Sequence, residues 1–138
     1  MYSLIQRHMK HATAFTRCDD SAQLPVKVPL ASGESLVGWY QNPAPWERCF
    51  VVFTSEALYL VEDQRVERIG LGDIVDYETP TSKADVTGVR VRTKDGFRFV
   101  RMAGRHGPGE KYKDAFGFLM VLRVVAHVNY RSTNGGQS

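Results

Sequence analysis

From residue 33 to residue 104 the chain alternates apolar and polar residues in short segments, with a turn signal every few positions. A period of two marks a strand with one buried face. Seven segments read as strands, 36–40, 48–54, 57–61, 65–69, 74–78, 86–93 and 97–103, although 48–54 contains the apolar run 50–53 and 65–69 alternates only roughly. Pro43 and Pro45 keep 41–46 out of a central ladder, because proline has no amide hydrogen to give. Asp95-Gly96 is a hairpin signal. One apolar helical segment, 111–129, follows the last strand. The pattern predicts a mainly β, α+β fold: a seven-stranded barrel whose open end is capped by a C-terminal helix.

An extra helix precedes the strands. Ser3 and Gln6 have capping-box spacing, each side chain able to bond the other's backbone amide. Ile5, Met9, Ala12 and Thr16 then recur at helical spacing, which predicts a helix of about 12 residues ending near Arg17. The following segment holds Pro25 and Pro29 and reads as an extended linker. The chain thus divides into helix and linker (1–32), a strand-rich domain (33–131) and a disordered tail (132–138).

At 138 residues the chain can bury enough surface to fold without a disulfide or a metal. An apolar content of 43% excludes disorder. No apolar run approaches the roughly 20 residues of a membrane span, and Arg7, His8 and Lys10 break the first one in a way a secretory signal does not. The expectation is a cytoplasmic protein, at most peripheral to a membrane, with Cys18 and Cys49 as reduced thiols. Net charge is +3, but eight Lys/Arg against two carboxylates fall between Val86 and Lys113. Such a basic stretch suits an anionic partner or simply a solvated surface.

The run Phe50-Val-Val-Phe-Thr-Ser-Glu-Ala-Leu-Tyr-Leu60, followed by Glu67-Arg-Ile-Gly-Leu-Gly-Asp-Ile74, resembles the bacterial PH-like (pleckstrin-homology-like) and GRAM-like domains. An apolar strand ending in Thr, a polar pair, then Leu-Tyr-Leu is their pattern. The hairpin Val91-Arg-Thr-Lys-Asp-Gly96 and the late helix also fit, so the resemblance covers residues 33–129. It implies a PH-like barrel that binds lipid or protein. The resemblance does not extend to a phosphoinositide site: the first hairpin offers only Arg48, and both tryptophans, Trp39 and Trp46, lie there rather than in the last helix.

Three places are candidates for binding. Arg90, Arg92, Lys94 and Arg98 form a basic hairpin, with Arg98 expected across from Arg90 and Arg92; arginines so placed hold phosphates in bidentate fashion. Arg105 and Lys111, at the glycine-rich approach to the helix, extend it toward backbone amides that hold anions. Trp46, beside two prolines, suits a protein or membrane interface. The last helix is apolar on two sides. Ala115, Phe118, Leu119, Leu122 and Val125 suit the barrel mouth, while Gly117, Val121, Val124 and Val128, joined by Met120, repeat at the spacing of a helix–helix seam. Ile5 and Met9 of the first helix share that spacing and are expected to cover the seam, from the same chain or from a second subunit.

No catalytic constellation, cofactor fingerprint or metal-ligand spacing stands out; His8 and His11 have no third ligand at a convincing spacing. The expectation is a non-catalytic module acting through a protein partner or homodimer. An anionic membrane surface, met through the basic hairpin and Trp46, is the alternative. Nucleic acid is disfavoured, because Phe97 and Phe99 are placed inward with Arg101 at a bulge, and single strands need exposed rings.

Overall fold

In the computed structural model, which describes residues 2–10, 15–25, 27–42, 46–63, 65–78, 88–102 and 108–135, the stretch 36–101 gives seven strands and the apolar helical period after it one helix; a further strand and a further helix precede them. In chain order they are α1 (Tyr2–Met9), β1 (Phe15–Arg17), β2 (Leu36–Gln41), β3 (Cys49–Thr54), β4 (Ala57–Glu62), β5 (Arg65–Gly70), β6 (Ile74–Glu78), β7 (Gly88–Thr93), β8 (Gly96–Arg101) and α2 (Pro108–Gly135). The strands form two antiparallel sheets, β1-β2-β3-β4-β5 and β6-β7-β8. The expected seven-stranded closed barrel is therefore corrected to eight strands in two open sheets. Among the described residues no ladder joins β5 to β6 or β8 to the first sheet.

The eighth strand comes from the segment expected to end the first helix. α1 stops at Met9, and Phe15–Arg17 pairs with β2 instead, Thr16 opposite Trp39 and Arg17 opposite Gly38. Gly38 makes this possible: a Cβ there would overlap the Thr16 carbonyl oxygen and sit 2.6 Å from the Phe15 ring. Thr16 thus leaves the seam, and Ala12 lies outside the described residues. At the other end, α2 runs to Gly135, through part of the stretch expected to be a disordered tail; residues 136–138 lie outside the described residues.

The inner faces of both sheets, α1 and α2 share one core around Tyr40, Phe53, Leu58, Ile74, Phe118 and Leu122. A second cluster lies on the other face of the first sheet. There Cys18 and Val28, with Leu24 and Leu30 beside them, cover Val52, Tyr59 and Val61. This double cover explains why β3 reads as an unbroken apolar run: a strand buried on both faces has no polar side to show. Ile5, Met9, Cys18 and Val28, all before Gly33, are thus buried in the same two clusters as the strands.

Two features fix the corner between the sheets. Asn129 of α2 donates from Nδ2 to the carbonyls of Leu71 and Ile74, both at 2.7 Å. The Leu71 amide donates to the Glu56 carbonyl at 2.8 Å. The β7–β8 hairpin then sets the register that matters for function. Its turn is Lys94-Asp95, not Asp95-Gly96: Thr93 pairs with Gly96, and Gly96 takes φ +130°, a conformation glycine reaches without strain. The Thr93 hydroxyl closes the turn, accepting from the Asp95 amide and donating to the Gly96 carbonyl. A shift of one residue moves every side chain of β8 to the opposite face. Val100 is consequently buried, and Phe97 and Phe99 point outward, opposite to expectation.

A cationic and aromatic face on the second sheet

In the observed register Arg92 lies opposite Phe97 and Arg90 opposite Phe99, so arginines and rings share the outer face of β7 and β8. The Arg90 guanidinium lies 4.0 Å over the Phe97 ring centroid. Arg101 lies between two more rings, 4.6 Å from Trp46 and 5.3 Å from Phe99. Stacking of this kind contributes about 0.5–1 kcal/mol per pair at exposed sites and holds flat groups upright on a strand. The rings stay open to solvent: Phe97 is 45% and Phe99 49% exposed. Phe99 has room to lie over β7 because Gly88 has no side chain; a Cβ there would come within 2.7 Å of the ring.

The expected basic cluster is only partly assembled. Arg90 and Arg92 are exposed on the outer face. Arg90 has a long contact with Glu78 at 3.9 Å, and Arg92 makes no ion pair among the described residues. Lys94 sits in the turn, 3.8 Å from Asp73. Arg98 is turned to the other face, against the expected register, and its Nε donates to Glu67 of β5 at 2.8 Å. Its Nη1 donates to the Phe97 carbonyl on the free edge of β8, and Asn42 donates to the Arg101 carbonyl further along. The side chains of Arg105 and Lys111 lie outside the described residues. Arg101, expected inward, joins the outer face instead. Asp76 and Glu78 of β6 border the arginine row, opposite Arg92 and Arg90.

Between β8 and the far ends of β3, β4 and β5 lies a cleft of about 640 Å³. Phe50, Leu60 and Val66 line its floor, and Arg65, Arg98 and Arg101 its rim. On α2 the expected seam divides. Ile5, Met9 and Val121 are fully buried, and α1 of the same chain approaches Gly117 so closely that a Cβ there would stand 2.6 Å from the His8 carbonyl oxygen. Met120 is half-buried, while Val124 and Val128 remain 38% and 46% exposed.

The carboxylate of Glu34 is a buried polar group with little mark in the sequence. The Glu34 side chain is fully covered. It accepts from the Tyr59 hydroxyl at 2.6 Å, the Ala31 amide at 2.7 Å and the Thr54 hydroxyl at 2.8 Å, with Arg68 at 3.3 Å. Its only sequence signal is a carboxylate two residues before an apolar strand. Among the described residues no three His, Cys, Asp or Glu side chains converge as metal ligands, and no helix is long and apolar enough to cross a membrane. No family model, no curated protein and no solved structure matches the chain.

Proposed function

We propose that the chain is a non-catalytic binding module of the PH-like and GRAM-like kind, and that it works by protein contact through α2, first of all with a second copy of itself. In its favour, seven consecutive antiparallel strands, β2 to β8, are followed by one long helix, as the resemblance implies, although they form two open sheets and not a barrel. A cytoplasmic setting goes with this reading. The observation that carries it is a ridge on α2. Phe116, Met120, Val124 and Val128 follow one another at four-residue steps, and Phe116 is 46% exposed. Rows of this spacing are the ones that interdigitate between helices. A solvated helix face has no need of four such residues in line. Light scattering on the full chain tests the idea. The wild type should have the mass of a dimer and the Val124→Asp/Val128→Asp variant that of a monomer, with little change in melting temperature. A monomeric wild type, or a variant of unchanged mass, removes the proposal.

The alternative is contact with anionic phospholipid through the basic hairpin and Trp46. In its favour, Trp46, Phe97 and Phe99 stand among Arg90, Arg92 and Arg101. It predicts sedimentation with anionic vesicles that weakens as salt rises, since exposed charges are screened, and that is lost in Arg90→Glu/Arg92→Glu. Against it, Phe97 and Phe99 lie along a strand rather than at a loop tip, and Asp76 and Glu78 would be pressed against the same anionic plane.

A further inference from the structure

The outer face of β7 and β8 lies on the opposite side of its sheet from α2, which packs on the side of Val89, Val91 and Val100. It carries an inference independent of the helix ridge. Alternate residues of a strand are about 7 Å apart on one face. Phe97 and Phe99 are therefore two flat platforms one step apart along β8, and Arg101 with Trp46 stacked on it continues the line. The arginine row of β7 runs beside the rings, Arg92 next to Phe97 and Arg90 next to Phe99. Beyond it the carboxylates of Asp76 and Glu78 close one side.

We infer that this face binds single-stranded nucleic acid, with bases stacked on Phe97, Phe99 and Trp46 and phosphates held by Arg90, Arg92 and Arg101. Half-exposed phenylalanine rings, each with a guanidinium against one face, offer both the flat surfaces and the positive charges that a chain of alternating bases and phosphates needs. Every base has a flat face, so the binding is tolerant of sequence. A duplex keeps its bases stacked on one another and has none to lay on these rings. A bilayer is planar and meets the β6 carboxylates together with the arginines, whereas a single strand follows the rings and stays clear of them. The objection to nucleic acid drawn from the sequence rested on inward rings, and the observed register removes it.

Fluorescence anisotropy of labelled oligothymidylate and oligouridylate with the full chain tests the inference. Parallel arms use the same sequence as a duplex, heparin, and phosphatidylserine vesicles. Single strands should bind more tightly than duplex. Phe97→Leu and Phe99→Leu, which keep an apolar side chain and remove the flat face, should each weaken the single strand by about 5- to 150-fold, with the melting curve unchanged. Arg92→Ala should flatten the salt dependence by about 0.7 in log–log slope, as expected for one phosphate contact on a single strand. Absence of single-strand binding overturns the inference. So does equal affinity for heparin with no loss in the leucine variants, which would leave only general attraction of polyanions. Binding to vesicles but not to oligonucleotides also overturns it, and assigns the face to phospholipid.

Discussion

Glu34→Ala lowers the free energy of unfolding at neutral pH by about 2–4 kcal/mol, as read by urea titration. The carboxylate is fully covered and is the common acceptor for Tyr59, Thr54, the Ala31 amide and Arg68. Removing it leaves several donors without their acceptor, each costing about 1–3 kcal/mol where water cannot replace it. Arg68 keeps half its surface in water and donates to the Tyr59 oxygen as well, so its share is small. Glu34→Gln is a finer probe. It keeps the shape but turns an NH2 group toward donors, and should cost less than alanine.

The pH dependence of this cluster has a definite sign. Burial alone would raise the Glu34 pKa, but hydrogen bonds from Tyr59, Ala31 and Thr54 and the charge of Arg68 outweigh it and hold the group below its usual 4.5. A pKa lowered by folding contributes stability that is present above the unfolded value and lost as pH falls through the folded one. Wild type and Glu34→Gln should thus differ most near neutrality and converge as the medium is acidified below about pH 4.5. Tyr59 behaves in the opposite way. Burial, and then its bond to Glu34, raise its pKa above 10, so its contribution is intact below that value and fails in stronger alkali. A gap between wild type and Glu34→Gln that stayed constant from neutrality to pH 3 would falsify this account of Glu34.

The strands were legible because alternation is a local property: each of the seven expected segments became a strand shifted by at most about two residues at its ends, within the usual spread of assignments. What was not legible depended on contacts far along the chain. Ile5 and Met9 lie on a true helix, but the helical spacing does not carry on to Thr16. The segment 15–17 becomes a strand through Gly38, more than twenty positions away. The cover supplied by Cys18 and Val28 did have a signal, since Phe50-Val-Val-Phe53 has no polar side and needs burial on both. The cationic and aromatic face turned on one residue of register. Thr54-Ser-Glu-Ala57 and Thr93-Lys-Asp-Gly96 are the same device, a strand-ending threonine whose hydroxyl accepts from the amide of the second turn residue, Glu56 or Asp95. Matching the second to the first puts Gly96 opposite Thr93 and brings Phe97 and Phe99 beside the arginines.

Gly117→Leu should have an effect of similar size through packing. Glycine is the poorest helix former apart from proline, so replacing it inside α2 would by itself favour the helix by up to about 1 kcal/mol. Here the gain is outweighed. A Cβ at 117 would stand 2.6 Å from the His8 carbonyl oxygen, a backbone atom that cannot rotate away. Leucine therefore forces α1 off its seat and exposes Ile5 and Met9, both fully buried, whose burial is worth about 1.5–3 kcal/mol each. Partial collapse of the displaced segment recovers some of this, leaving an expected loss of about 2–4 kcal/mol. Hydrogen exchange should show the amides of residues 2–9 losing protection while β3 and β4 keep theirs. Gly117→Ala separates the two contributions: it should still destabilise, because overpacking against backbone costs about 1–3 kcal/mol and the helix gain is smaller. A stabilised Gly117→Ala variant would mean that α1 does not approach α2 so closely. Displacing α1 also uncovers Val121, adjacent to the exposed ridge of Val124 and Val128. The leucine variant should then self-associate more strongly than wild type, which ties the seat of α1 to the size of the surface that α2 offers a partner.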